Sequence, residues 1–191
     1  RAHLPPETLQ ALSDPRVRVL FEDGRRLVNR LSREASPPRY DLIILALPDP
    51  STAALNRYYT REAFEAFGAL LAPRGVVETR LGAVANYLGA EGTGYLGSIW
   101  TTLRAVFPQV EAIPGEPTRF FASRDAGALT TDPQALKDRF LSIPLARRTF
   151  PATGFWTLVE PDRIAALHAR LDAGPGLENR DLQPITHYLG L

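Results

Sequence analysis

Tyr40-Asp41-Leu42-Ile43-Ile44-Leu45-Ala46-Leu47 is the stretch that decides the fold. From Leu42 onward it is an unbroken apolar run, closed by Pro48-Asp49-Pro50-Ser51, which must be loop. A run this short is strand-sized, and an apolar strand without alternation fits one buried on both faces of a parallel sheet. Upstream, Ser36-Pro37-Pro38 breaks the chain, Arg25 to Leu31 reads as helix, and Val17 to Glu22 alternates as a strand does before the Asp23-Gly24 turn. Before that, Pro5-Pro6-Glu7 opens a short helix that Ser13-Asp14-Pro15 stops.

Downstream, Thr60 is placed as a helix N-cap, with Phe64, Phe67, Leu70 and Leu71 on one face and Ala72-Pro73-Arg74-Gly75 as the stop. Val76 to Leu81 is the next strand. The glycine-rich stretch from Gly89 to Gly97 leads into a helix striped by Leu96, Ile99, Trp100, Leu103, Val106 and Phe107. Val110–Ile113 and Arg119–Ala122, around Pro114-Gly115, read as an antiparallel pair. Asp132-Pro133 starts a further helix, and Pro161 another, with Ile164, Leu167 and Leu171 inward and Gly174 past its end. Strands alternating with helices predict an α/β, doubly wound parallel sheet, here with a terminal antiparallel hairpin and a helical C-terminal tail.

The chain has 191 residues, 22 Lys+Arg against 21 Asp+Glu, and no Cys or Met. Lys137 is the one lysine, so arginine dominates the basic set. The formal net charge of +1 supplies no field for nucleic acid, which excludes that class of partner. Without cysteine there is no thiol nucleophile, disulfide or thiolate metal site. No apolar run approaches the ~20 residues of a membrane span, so these residues read as soluble. A first residue of Arg1 and no methionine predict an excised piece of a longer chain.

Sites in such sheets lie beyond the carboxyl ends of the strands. Glu22-Asp23-Gly24, Ala46 to Ser51 and Thr79 to Asn86 fall there. Asp23 is placed to accept from an adenine amino group or a ribose hydroxyl, although Asp-Gly is also ordinary turn chemistry. Asp49, between two prolines, either poises an amine or caps its turn. The histidines show no metal-ligand spacing, so no metal is expected, and His168 reads as solvated. Gly92-Thr93-Gly94 reads as a flexible loop.

Several segments together resemble the spermidine synthase (polyamine aminopropyltransferase) family, over roughly residues 10 to 125. They are Asp14-Pro15-Arg16-Val17, Glu22-Asp23-Gly24-Arg25, Tyr40-Asp41-Leu42-Ile43-Ile44, Asp49-Pro50, Leu55 to Glu62 and Leu71-Ala72-Pro73-Arg74-Gly75-Val76. The stretch from Pro48 to Thr60 and the tail Asn179-Arg180-Asp181-Leu182-Gln183-Pro184 resemble a bacterial branch in which membrane helices precede the synthase-like domain. The resemblance implies a Rossmann-like sheet of the S-adenosylmethionine methyltransferase type. It also implies transfer of an aminopropyl group from decarboxylated S-adenosylmethionine to a small-molecule amine, as a cytoplasmic domain tethered to the inner membrane. Asp23, with Gly24, would meet the adenine side, and Asp49 would be the second acid of the family's Asp-x-x-Asp-Pro motif. Three departures affect the amine site: Ala46 stands at the first acid, Arg80 near an expected glutamine, and Ile113-Pro114-Gly115-Glu116-Pro117 at the acceptor segment. Ala46 can neither take nor orient the proton of an attacking amine.

The family's glycine-rich loop and its ribose-binding acid are not found before Val17, so residues 1–125 are expected to be the carboxyl-terminal part of the domain, lacking its first two strands, with 126–191 a helical extension. The sheet would then have a gap between the strands at Val17 and Asp41, which the chain either closes itself or fills with an edge from a second copy, predicting a homo-oligomer. The piece alone is expected to be inactive. The rival readings are a non-catalytic binding or regulatory domain, which Ala46 and Arg80 favour, and an S-adenosylmethionine-dependent methyltransferase.

Overall fold

The computed structural model describes residues 5–82, 90–144 and 150–185. The order is α1 (Pro6–Leu12), α2 (Gly24–Leu31), β1 (Tyr40–Leu45), α3 (Ala53–Asn56), α4 (Arg61–Ala69), β2 (Leu71–Leu81), α5 (Ala90–Arg104), β3 (Gln109–Ile113), β4 (Thr118–Ser123), α6 (Pro133–Leu141), α7 (Phe155–Leu158) and α8 (Pro161–Asp172). The strands form one mixed sheet in the order β1-β2-β4-β3. β1 and β2 are parallel, while β4 runs antiparallel to both β2 and β3. This is a Rossmann-like α/β sheet with the predicted terminal hairpin and a helical C-terminal region.

The predicted helix starts hold. Thr60 accepts a hydrogen bond from the Ala63 amide, and Asp132 accepts one from the Gln134 amide with Pro133 in the first turn. Both satisfy amides that the first helical turn leaves open. Phe64 and Phe67 of α4 and Leu96, Ile99, Trp100, Leu103 and Phe107 of α5 form one core with Leu45, Val77, Phe120 and Ala122 of the sheet. Ile164, Leu167 and Leu171 are buried on α8, which packs on α5 and β3.

Four expectations are corrected. First, Ala72-Pro73-Arg74-Gly75 does not end a helix; it lies inside β2, where the register with β1 slips between Tyr40 and Leu42. A Cβ at Gly75 would sit 2.8 Å from the backbone oxygens of both Ala72 and Tyr40, so only glycine lets the strands approach there. Second, Gly92-Thr93-Gly94 is not a loop but part of α5.

Third, Val17 to Glu22 is not a strand. Among the described residues Arg18 to Glu22 make no backbone–backbone hydrogen bond. A strand needs a neighbour, and among the described residues this segment has none. Fourth, the apolar run at Leu42 is not buried on both faces. Leu45 is buried, but Leu42 is 54% and Ile44 58% exposed. β1 is the edge of the sheet, and nothing among the described residues covers that face.

Candidate functional site at the carboxyl ends of the parallel strands

The chain leaving β1 passes Ala46, which is exposed, and turns at Pro48-Asp49-Pro50. The carboxylate of Asp49 accepts from the Gly82 amide with both oxygens, at 2.9 and 3.0 Å. That pair ties the loop after β1 to the end of β2. The Tyr59 hydroxyl, fully buried, donates toward the carbonyls of Pro48 (3.0 Å) and Leu47 (3.3 Å). The Asp49 loop is therefore held from two sides. Segment 83–89, which includes the predicted site residues up to Asn86, lies outside the described residues.

Two further hydroxyls line this spot. Thr79 Oγ1 on β2 and Tyr95 Oη on α5 are buried without a well-formed hydrogen bond among the described residues, Thr79 interacting with the Tyr59 hydroxyl and Tyr95 with the Asp49 carboxylate. Burial pushes the Tyr59 hydroxyl up to about 12, with the Asp49 charge adding to it and the Thr79 side chain and Arg80 charge opposing it. Burial, and then the negative charge of Asp49, hold Tyr95 protonated far above the ordinary tyrosine range. At neutral pH the site is thus one carboxylate surrounded by neutral hydroxyls. Leaving such groups unpaired costs about 1–3 kcal/mol each, so the constellation is suited to a polar guest. Its chemistry matches a donor-rich cation such as an ammonium group, since carboxylate and hydroxyl oxygens can all accept.

Asp23, the other acid singled out by the sequence, serves the local structure here. It caps α2, accepting from the Arg26 amide at 2.9 Å, and it pairs with the Arg57 guanidinium. The Arg26 amide is the main reason its carboxyl titrates below the usual range. Gly24 begins α2, and a Cβ there would make ordinary contact with the Tyr58 ring at 3.5 Å. The segment Arg57-Tyr58-Tyr59 links the two acids: Arg57 holds Asp23, and Tyr59 supports the Asp49 loop. Arg80 is exposed at the end of β2.

Tyr59, Tyr95 and Arg57 carry no role in the sequence reading, and Thr79 enters it only as the start of a segment beyond a strand end. Tyr58-Tyr59 lies within a segment that carries the family resemblance, but nothing marks its hydroxyl. Tyr95 precedes the Leu96/Ile99 stripe by one residue and has no local signal at all.

His168, expected to be solvated, is half-buried instead. Its Nε2 lies 3.2 Å from the Ala112 backbone, its ring stacks at 4.8 Å on Trp100, and Glu111 is 3.8 Å away. It faces a separate open cavity of about 750 Å³ between α5, β3 and α8, away from Asp49. Among the described residues no group of three or more His, Asp or Glu side chains could hold a metal, and no helix is long and apolar enough to cross a membrane.

The C-terminal tail reaches back to the site. Asn179, fully buried, donates through Nδ2 to Asn56 Oδ1 (3.0 Å) and the Tyr59 carbonyl (2.9 Å), and its amide donates to Thr102 Oγ1 (2.8 Å). Asp181 accepts from Thr60 Oγ1 (2.6 Å) and Arg25 Nη2 (2.9 Å). The tail thus clamps the α3–α4 corner that carries Arg57 and Tyr59.

Comparisons with known proteins agree with this architecture. A polyamine aminopropyltransferase from Pyrobaculum calidifontis is 33% identical over 139 residues, which is 71% of this chain and 46% of that protein. The chain therefore spans less than half the length of this curated relative. A spermidine synthase solved with the transition-state analogue AdoDATO superposes with a TM-score of 0.61, at 17% identity, covering 87% of this chain and 55% of that one. Human methyltransferase-like protein 13, solved with SAH, gives 0.52 at 19% identity, covering 77% and 71%. Both structural likenesses speak to the fold. The spermine/spermidine synthase domain family matches residues 1–90, so over that part, and over the 139 residues aligned with the aminopropyltransferase, the chain is similar to spermidine synthases.

Proposed function

We propose that these residues form the amine-acceptor side of an aminopropyltransferase-like domain. One observation carries the reading: the Asp49 carboxylate, fixed by the Gly82 amide, sits beside the buried Tyr95 hydroxyl, and neither that hydroxyl nor the Thr79 hydroxyl next to Tyr59 makes a well-formed hydrogen bond among the described residues. An ammonium group donates to all three. Asp49 orients it, and the neutral hydroxyls complete its shell without a second charge. Asp23 and Gly24 would face the nucleoside of S-adenosylmethionine or its decarboxylated form, whose sulfonium supplies the transferable group. The half-exposed Arg57 must release one Asp23 oxygen for that contact.

In the whole protein the activity is aminopropyl transfer to an amine, in a cytoplasmic domain with membrane helices upstream. The 191 residues alone do not turn over, because the family's glycine-rich loop, which lets the backbone approach the cofactor, is not found among them. The test is calorimetric titration with putrescine. Saturable binding that Asp49→Asn abolishes, while circular dichroism is unchanged, is the expected result. Equal binding by both proteins refutes the assignment.

Ala46 and the exposed Arg80 favour a second reading, a synthase fold kept for binding or regulation. Turnover of putrescine by the whole protein excludes it. Labelled methyl transfer from S-adenosylmethionine would instead identify a methyltransferase.

A further inference from the structure

We propose that the acceptor bound at Asp49 is an amino acid, whose ammonium group pairs with Asp49 and whose carboxylate pairs with the guanidinium of Arg80. The inference rests on the acceptor-side reading above and narrows its substrate class. It follows from the charges that the ends of β1, β2 and β4 bring together. The Asp49 carboxylate is tied to the amide of Gly82, two residues beyond Arg80 in the chain. Two residues of strand span about 7 Å, so that anchor lies about 7 Å from the root of the Arg80 side chain. The Arg80 charge acts on the Tyr59 hydroxyl, which supports the Asp49 loop, so both charges fall on one site. The amine and carboxylate ends of a short amino acid lie a comparable distance apart.

The sheet gives this end of the site a positive charge. Arg80 stands directly opposite Arg119 in the antiparallel register of β2 and β4. Like charges in that position repel each other. The acid on this face of the β2–β4 pair is Glu78, which is buried and pairs with Arg119 at 2.9 Å. Two guanidinium groups against one carboxylate leave one positive charge, and with Arg119 held by Glu78 it falls to Arg80. Residues 82–90, which continue the chain beyond β2, contain no acid. A diamine would bring its second ammonium toward that charge. A carboxylate is instead met by a guanidinium, whose paired donors match its two oxygens. Ala46, directly after β1, fits the same reading, since it adds no second anion for a second ammonium.

Calorimetric titration with two ligands of similar length tests the inference. They are putrescine and γ-aminobutyrate, in which a carboxylate replaces one aminomethyl end. γ-Aminobutyrate should bind at least about tenfold more tightly. Arg80→Gln should lower its affinity at least about tenfold and leave that of putrescine equal or higher, with circular dichroism unchanged. Arg80→Lys, which keeps the charge, should keep the preference for the amino acid. Butyrate, which lacks the amine, should bind at least about tenfold more weakly than γ-aminobutyrate, and Asp49→Asn should remove that difference.

Putrescine bound as tightly as γ-aminobutyrate, in a manner that Asp49→Asn abolishes, overturns the inference and leaves the acceptor-side reading standing. A preference for the amino acid that Arg80→Gln leaves intact overturns it as well. Butyrate bound as tightly as γ-aminobutyrate would make Arg80 an unselective anion site, and that too overturns it. Failure of both amines to bind, or binding that Asp49→Asn leaves unchanged, removes the acceptor site itself and this inference with it.

Discussion

Asn179→Ala tests how the tail controls the site. Its side-chain amide is wholly buried and donates to Asn56 Oδ1 and to the Tyr59 carbonyl. Removing it deletes two hydrogen bonds worth about 1 kcal/mol each and orphans the buried Asn56 oxygen, for a total of about 3 kcal/mol. For a chain of this size that corresponds to a fall in Tm of about 6–12 °C. The urea midpoint should drop with an unchanged slope, since the same surface is exposed on unfolding. The effect should also travel. Asn179 holds the Tyr59 backbone, Tyr59 donates to Pro48, and the next residue, Asp49, accepts from Gly82. Amide exchange at Gly82 should therefore quicken in the variant, measured by NMR under native conditions. A loss below about 1 kcal/mol would refute the clamp, because only a replaceable contact costs so little. Unchanged exchange at Gly82 would sever the link from tail to site.

Three other perturbations have definite outcomes. Gly75→Ala should cost about 2 kcal/mol or more in urea unfolding, because its Cβ meets two backbone oxygens that cannot rotate away. Tyr95→Phe removes a buried hydroxyl that makes no well-formed hydrogen bond, so without ligand its stability should stay within about 1 kcal/mol of the parent or exceed it, while putrescine binding weakens. Tyr59 keeps its proton in the folded chain to about 12 against 10.0 in the unfolded one, so its contribution is complete below pH 10.0 and is lost as pH rises through 12. The loss is about 2–3 kcal/mol. Urea midpoints between pH 9 and 12 should fall less steeply in Tyr59→Phe; parallel curves would contradict the assignment.

Legibility in the sequence followed the range of the physics. The caps at Thr60 and Asp132, the stripe of Ile164, Leu167 and Leu171, and the hairpin around Pro114-Gly115 depend on residues within one turn or one loop of each other. The turn that bears Asp49 is legible because prolines flank it directly after an apolar strand. What failed had a distant cause. His168 is covered by Trp100 and bonded to Ala112, neither a sequence neighbour. Tyr95 matters only because the loop bearing Asp49 lies beside it. The tail resembles a family branch in sequence, yet its clamping of Asn56, Thr60 and Arg25 shows only in space.

The opening run makes the same division. By itself the sequence determined that Leu42 to Leu45 is a strand, because a short, continuous apolar run bounded by prolines has few other solutions. It also determined the parallel neighbour at Val76. Tertiary structure alone decided that this strand is an edge with Leu42 and Ile44 uncovered, that Val17 to Glu22 is not a strand at all, and that Asp49 has hydroxyls around it. Backbone geometry follows from local sterics and periodicity. Whether a ladder bond is made, or a hydroxyl satisfied, depends on which group comes next in space.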